Sequence, residues 1–441
     1  MKKSLFGVYH PLHKASLLVA DVVAIAFAFS SATKLRLNSL PDFDSLEYLG
    51  LNLVIVSCLF IGNGYTSSAI GSRPKLPLNT FFTVLASTIP STLFIYFLGP
   101  ERFSDLFGRG VFPTAILLLG ILAVAARIVL NQLFLSDNTQ KRLIVLGDIK
   151  SKHQFDAALN RSQMNFKIHY AASLDLARDD DKVDAIVITP EHISSKAEQQ
   201  GLIQARLGGT PIFSLSDFFE SFLFLVPVNE IDNNWFIRTE GFTMLHSSVV
   251  LRVKRAADVI SAIALIVASL PIMLISMILT KIVSPGPVLF RQTRVGMNGV
   301  HFTIYKFRTM HLHAEESGAQ WASKQDNRLI PLGGFFRKTR IDELPQCWNI
   351  LRGEMSIVGP RPERPEFTKS LSKDIPYYDL RHVVKPGLTG WAQVSYPYGA
   401  STEDALRKLQ YDLYYIKNYS LLLDLNILLR TVSLTIRRGG R

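Results

Sequence analysis

Asp342 and Glu343 stand side by side in TRIDELPQCW, residues 339–348. Around them the basic residues collect in four stretches shaped by glycine and proline: YKFRTM (305–310), FFRKTRIDELPQ (335–346), NILRGEMSIVGPRPE (349–363) and RHVVKPGLTGWAQV (381–394). Arginine forks match phosphate oxygens bidentately, and lysine adds a compact charge. Any one such stretch suits a solvated face, but four of them with an acid pair describe a phosphate site. In such a site a carboxylate can attack phosphorus or hold Mg²⁺, which binds through one or two carboxylates plus substrate phosphates. The same two acids also suit a helix start, where Asp caps and Glu faces free N–H groups.

A short helix is expected here, because Leu344, Cys347, Trp348 and Leu351 recur at helical spacing and Pro345 is tolerated in a first turn. The chain around it has 441 residues and is 48% hydrophobic, too long for one ordinary domain and too apolar for a wholly soluble one. Four segments, roughly 15–33, 46–65, 79–99 and 111–135, carry enough apolar residues to cross a bilayer. The first contains Asp21, which must face a partner helix or a polar cavity, and the last contains Arg127, placed to snorkel near its end. Lys2, Lys3 and Lys14 precede a long first segment without a small-residue cleavage site, so it reads as a retained anchor. The connector with Arg73 and Lys75 has no acid, unlike the loops at 34–47 and 100–110, which puts the amino terminus in the cytoplasm.

Charge is uneven along the chain. Residues 251–441 hold 27 Lys and Arg against 15 Asp and Glu, an excess of 12 that equals the net charge of the whole protein. A basic domain beside a membrane fits anionic lipid or a polyanionic substrate, and no nucleic-acid-binding module is recognisable. Two cysteines, Cys58 and Cys347, exclude a disulfide framework and a CxxC metal site. Between the apolar segments and the basic domain, KRLIVLGD (141–148), VDAIVITP (183–190) and GTPIFSL (209–215) read as strands separated by helical stretches, a small Rossmann-like α/β unit. Its first strand ends on Gly147 alone, without the glycine triplet of dinucleotide binding. Residues 259–279 then carry no charge and have Pro271 in their middle, with Arg252, Lys254 and Arg255 before them and Lys281, Arg291 and Arg294 after. A helix that enters one leaflet, breaks and returns satisfies both features; a kinked full crossing is the alternative.

SPGPVLFRQTRVG, YKFRTM, TRIDELPQCWNILRGEMSIVGPRPE, KPGLTGWAQV and YDLYYIKNYSLLLDLNILLRTV, in that order across residues 251–441, resemble the bacterial sugar transferase family, the monotopic polyprenyl-phosphate phosphoglycosyl transferases in their long form. The resemblance implies an α-helical membrane protein with α/β cytoplasmic parts. Its domains would be a four-helix transmembrane region (1–138), a Rossmann-like domain (139–245) and a mainly helical catalytic domain (246–441) with a re-entrant helix over about 256–283. It implies transfer of a hexose 1-phosphate from a UDP-hexose to undecaprenyl phosphate at the cytoplasmic face of the bacterial inner membrane, starting exopolysaccharide, capsule or O-antigen units. By resemblance Asp342 is the nucleophile and Glu343 serves Mg²⁺, the implied cofactor. Lys306, Arg337 and Arg361 correspond to the family's basic positions, with Arg308 and Arg340 as additions. The family's helix commonly breaks at an adjacent Ser-Pro, whereas here Leu270 separates Ser269 from Pro271. Anionic lipid is an expected partner, nucleic acid is not, and a homo-oligomer is compatible with the pattern.

His311 and His313 lack a third metal ligand and read as polar surface. Trp391 suits either a stack on uracil or ordinary packing, and Tyr411, Tyr414, Tyr415 and Tyr419 suit either a membrane interface or a core face. Two other functions fit parts of the chain: a membrane-anchored nucleotide-sensing regulator of polysaccharide synthesis, which leaves the acid pair without work, and an NAD-dependent sugar-modifying enzyme, which the lone glycine disfavours.

Overall fold

A computed structural model of the chain describes residues 11–61, 75–99, 110–134, 141–147, 166–173, 183–242, 247–312, 327–396 and 401–438, apart from 191, 193 and 194, together with residues 152, 155, 156, 159, 314 and 399. Arg73 and His313 lie outside the described residues. The chain divides into two compact units, Met1–Leu223 and Phe224–Arg441.

The first unit begins with apolar helices α1 (Pro11–Leu37), α2 (Leu46–Ile61), α3 (Lys75–Ala86), α4 (Thr88–Leu98) and α5 (Val111–Phe134). Ile25, Phe29, Ile55 and Leu119 are fully buried between them, while Val19, Val23, Leu53 and Phe97 point outward. An exterior as apolar as the interior is what hydrocarbon solvent demands. Stretches Ala15–Leu37, Thr80–Leu98 and Val111–Leu130 are long and apolar enough to cross a membrane, as is Ser248–Val283 of the second unit; Leu46–Ile61 is a shorter apolar helix. Arg127 does not snorkel: it is fully buried and grips Asp21 with two parallel bonds, Nη1 to Oδ1 at 2.7 Å and Nη2 to Oδ2 at 3.0 Å. An acid on α1 and a base on α5 thus satisfy one another inside the helical bundle, where an unpaired charge would be costly.

The unit continues with a four-stranded parallel sheet of β1 (Lys141–Leu146), β2 (Phe166–Ala171), β3 (Ala185–Ile188) and β4 (Ile212–Ser214), in the order β2-β1-β3-β4. Helices α6 (Lys196–Leu207) and α7 (Leu215–Phe218) accompany it. Strand β2 was not evident from sequence, because FKIHYA mixes polar and apolar residues on faces that are only half buried.

In the second unit α8 (Asn233–Arg238) leads to the 36-residue α9 (Ser248–Val283), which is helical through Pro271. The Ser269 hydroxyl donates to Leu265 O at 2.6 Å, two residues before the proline. A hairpin of β5 (Leu289–Val295) and β6 (His301–Phe307) follows, then α10 (Gly333–Thr339), a 3₁₀ turn over Ile341–Gln346, α11 (Cys347–Arg352), β7 (Ser356–Val358), α12 (Pro365–Asp374), β8 (Gly387–Thr389), α13 (Trp391–Ser395), α14 (Thr402–Lys417) and α15 (Leu421–Arg438). One core joins them, with Ile350, Met355, Leu409, Leu413, Tyr415 and Ile427 nearly or fully buried. Tyr415 and Tyr419 belong to this core, and the Tyr415 hydroxyl donates to Asp424 at 2.8 Å.

Candidate active site

The β5–β6 hairpin closes on Asn298 and Gly299, both in the left-handed conformation (φ 54° and 77°), the chemistry of a tight two-residue turn. Its register pairs Phe290 with Lys306. Asn349 of α11 then completes the edge of β6: its Oδ1 accepts from Tyr305 N (3.2 Å) and its Nδ2 donates to Thr303 O (2.7 Å) and Glu354 (2.7 Å). The strand bearing Lys306 is thereby fixed to the helix that follows the acid pair.

Helix α10 ends at Arg340, whose φ of 60° is unusual for a side chain with a Cβ. That left-handed residue reverses the chain into the 3₁₀ turn with Asp342 and Glu343 in its first turn. The turn's flanking residue is Arg340 and no side chain caps it, so Asp342 is not the N-cap that the sequence also allowed.

The two acids are 8% and 6% exposed and are treated very differently. Glu343 is gripped by Arg361 Nη2 at 2.6 Å, Arg340 Nη1 at 3.1 Å and Lys306 Nζ at 3.9 Å. Burial alone would raise its pKa, but these three cations outweigh burial and hold it well below the usual carboxylate range. No hydrogen bond among the described residues ends on the Asp342 carboxylate. Burial, helped by the charge of Glu343, pushes Asp342 up to about 6, against the pull of Lys306, Arg361 and Arg337. Burial and the charge of Arg361 likewise bring Lys306 down to about 8, despite both acids.

These side chains line a cavity of about 1340 Å³, larger than the roughly 300–1,000 Å³ usual for one small ligand. Met277, Leu289, Phe290 and Leu312 give part of its wall an apolar surface. Lys306, Arg308, Arg337, Arg340, Arg361, Asp342 and Glu343 all face it, so the basic stretches converge. Their uses differ. Arg337 Nε donates to the Thr309 hydroxyl at 3.2 Å, whereas buried Arg308 gives its donors to the carbonyls of Ser284 and Pro285 and holds the turn after α9. Ser269 and Pro271 lie within α9 and do not line the cavity.

Arg361 is carried by a loop after β7. Glycines 359, 387 and 390 let that loop meet the KPGLTGW segment backbone to backbone: a Cβ on Gly387 would lie 2.1 Å from Gly359 N, and one on Gly390 2.2 Å from Gly359 O. KPGLTGW is thus a cradle for the arginine loop. Trp391 is 3% exposed, donates from Nε1 to Phe224 O at 2.9 Å and lies under the Arg430 guanidinium, so it packs and presents no face to a base. Cys347 is buried, and burial pushes its thiol up to about 11, unsuited to a nucleophile. Sequence reasoning assigned no role at the site to Asn349, Arg294 and Arg381, each of which donates to one main-chain carbonyl, Thr303 O, Pro362 O and Arg361 O respectively, besides its side-chain partners.

The described residues contain no group of three or more His, Cys, Asp or Glu suited to a metal. Two adjacent carboxylates facing a basic cavity nevertheless fit Mg²⁺, which keeps several waters and draws further ligands from substrate phosphates.

The sequence pattern described as bacterial sugar transferase matches residues 249–438. The UDP-N-acetylgalactosamine-undecaprenyl-phosphate N-acetylgalactosaminephosphotransferase of Aeromonas hydrophila is 40% identical over 231 residues, 52% of this chain and 53% of that one. A UDP-glucose:undecaprenyl-phosphate glucose-1-phosphate transferase of Caulobacter vibrioides is 43% identical over 181 residues, 41% of this chain and 68% of its own. The exopolysaccharide production protein PSS of Rhizobium leguminosarum is 37% identical over 195 residues, which are 43% of this chain and 98% of that protein. Of the longer relatives this chain covers about half or less, 53% of the Aeromonas protein and 37% of a glucose-1-phosphate transferase from Xanthomonas campestris.

Proposed function

This chain belongs to the bacterial sugar transferase family, and we propose that it moves a hexose 1-phosphate from a UDP-sugar to undecaprenyl phosphate, releasing UMP and starting a polysaccharide repeat unit. The observation that carries this reading is the unequal pair: Glu343 locked by three cations, and Asp342 beside it buried and unbonded among the described residues. With a pKa of about 6, Asp342 is about nine-tenths ionised at pH 7, yet it has little solvation to lose before attacking.

In the first step an Asp342 carboxylate oxygen bonds to the sugar-linked phosphorus and the bond from that phosphorus to the bridging oxygen breaks, so UMP leaves with the electron pair. In the second, a phosphate oxygen of undecaprenyl phosphate bonds to the same phosphorus and the aspartyl oxygen departs, restoring the carboxylate. No net proton is needed. Lys306, Arg337 and Arg361 offset the negative charge that both substrates bring together and stabilise the equatorial oxygens of the transferred group. Mg²⁺ held by Glu343 would supply further charge neutralisation at the diphosphate.

The donor alone tests the covalent step. Incubated with UDP-sugar and Mg²⁺ and no lipid, then quenched rapidly, the protein should gain the mass of a hexose phosphate on Asp342. An unmodified mass under conditions of turnover would overturn the two-step reading.

Membrane placement follows the same reading: α9 enters the cytoplasmic leaflet of the bacterial inner membrane and returns, and Phe224–Arg441 works on the cytoplasmic face. Support comes from both ends of the helix. Arg255 near its start donates to Ile350 O and Leu351 O, while the carbonyls of Ser284 and Pro285 just past its end receive Arg308. A straight helix of this length would be about 54 Å long, well beyond a hydrocarbon core of about 30 Å. Cysteines placed at positions 250 and 290 should react only from the cytoplasmic side; periplasmic labelling at 290 would end the re-entrant reading.

A further inference from the structure

The loop that carries Arg361 is stapled at five consecutive residues. Gly359 N donates to Thr389 O (2.9 Å), Pro360 O accepts from Gly387 N (2.8 Å), Arg361 O accepts from Arg381 Nη2 (3.0 Å), Pro362 O accepts from Arg294 Nη1 (3.0 Å) and Glu363 O accepts from Val295 N (3.0 Å). Pro360 and Pro362 have no N–H to satisfy, so little of this backbone is left to water. The side chain of Arg361 is what emerges, 2.6 Å from Glu343.

The staple at Arg361 itself is supplied by a buried side chain. Arg381 is 5% exposed and spends its donors on Arg361 O, on the Tyr378 hydroxyl (2.8 Å) and on Asp412 (2.9 Å), which is 1% exposed on α14. Glu363 stands 4.0 Å from Arg381 and also 4.0 Å from Arg294. A buried arginine needs a carboxylate, and Asp412 fulfils that need while fixing the guanidinium plane. We infer that Arg381 and Asp412, buried in the wall of the same cavity, are a positioning pair: they set Arg361 against Glu343 and the transferred phosphoryl group through the main chain. This role rests on the transferase reading above.

The full chain in detergent, as wild type, Arg381→Lys, Arg361→Ala and the double variant, tests it through kcat/KM for UMP release. Arg381→Lys keeps the charge but cannot hold three acceptors in one plane, and misplacing Arg361 by about 1 Å should cost about 10²-fold. In the Arg361→Ala background the same change should cost less than about 3-fold, because residues acting through one another are not additive. Equal factors in both backgrounds would overturn the inference.

Hydrogen exchange gives a readout that needs no turnover. The amides of Gly359 and Gly387 should exchange faster in Arg381→Lys, and in the milder Asp412→Asn, by more than other amides of the same unit; unchanged exchange in both would overturn the inference whatever the activity. A wild type that releases no UMP from any UDP-sugar would instead bring down the transferase reading.

Discussion

Asp21 with Arg127, and Glu343 with its cations, are both buried ion clusters, yet their arithmetic differs. In the first unit one acid meets one base, fully enclosed and doubly hydrogen-bonded. In the second, four cations, Lys306, Arg337, Arg340 and Arg361, act on two acids, and one of those acids is left unbonded among the described residues. A balanced pair is a fastening. An unbalanced cluster has charge left over that an anion would offset, which is the part the proposed phosphate substrates would play.

The sharpest way to break that contrast is Asp342→Asn. Transfer should fall on the order of 10⁴-fold or more, the scale of losing a nucleophile, and the donor-only adduct should vanish. Thermal stability at pH 8 should rise at the same time. A carboxyl raised from 3.8 to about 6 favours the folded state only while protonated, and that contribution is lost as pH rises through 6, so removing the charge should recover on the order of 1–3 kcal/mol. A lowered Tm for this variant would contradict the strain assigned to Asp342.

The fastening should respond oppositely. Asp21→Ala leaves Arg127 charged and buried, which should cost about 3–5 kcal/mol, and the double change to Asp21→Leu with Arg127→Leu should restore most of it. Differential scanning of the full chain in lipid nanodiscs checks this, and failure of the double change to rescue would show that the pair does more than fasten.

A pH profile sharpens the comparison further. Asp342 must be ionised to attack, so kcat/KM should drop as pH falls through about 6; Lys306 must be protonated to meet phosphate, so it should drop again as pH rises through about 8. The limbs belong to the coupled cluster, and Lys306→Arg should move the alkaline limb upward while leaving the acid limb in place. The smallest effect is expected at Trp391. Trp391→Phe loses one bond to Phe224 O, about 1 kcal/mol of stability, and should leave the KM for UDP-sugar unchanged; a raised KM would revive a stacking role.

What was legible from sequence was whatever concentrated charge or apolar character within a short window. The four basic stretches announced themselves by clustering with prolines and glycines, and the apolar helices by length, while the choice of Lys306, Arg337 and Arg361 within those stretches came from the family resemblance. Asp21 and Arg127 were each visible, but their partnership spans 106 positions and leaves no local trace. Arg381 stood in a stretch already noted for its charge, yet its work is done on the carbonyl of Arg361, and a carbonyl has no sequence signature. Strands β7 and β8 are three residues each, too short for a periodic signal, and their pairing depends on glycines that permit backbone contact.

The fastening in the first unit also sets a clock. Asp21 is made 106 residues before Arg127, which at about 5–20 residues per second is roughly 5–20 s. During that interval α1 lacks the guanidinium that grips its acid in the folded unit, and a carboxylate in an apolar helix raises the cost of entering hydrocarbon. A chain cut short before residue 127 should therefore be less stably inserted than one that includes α5.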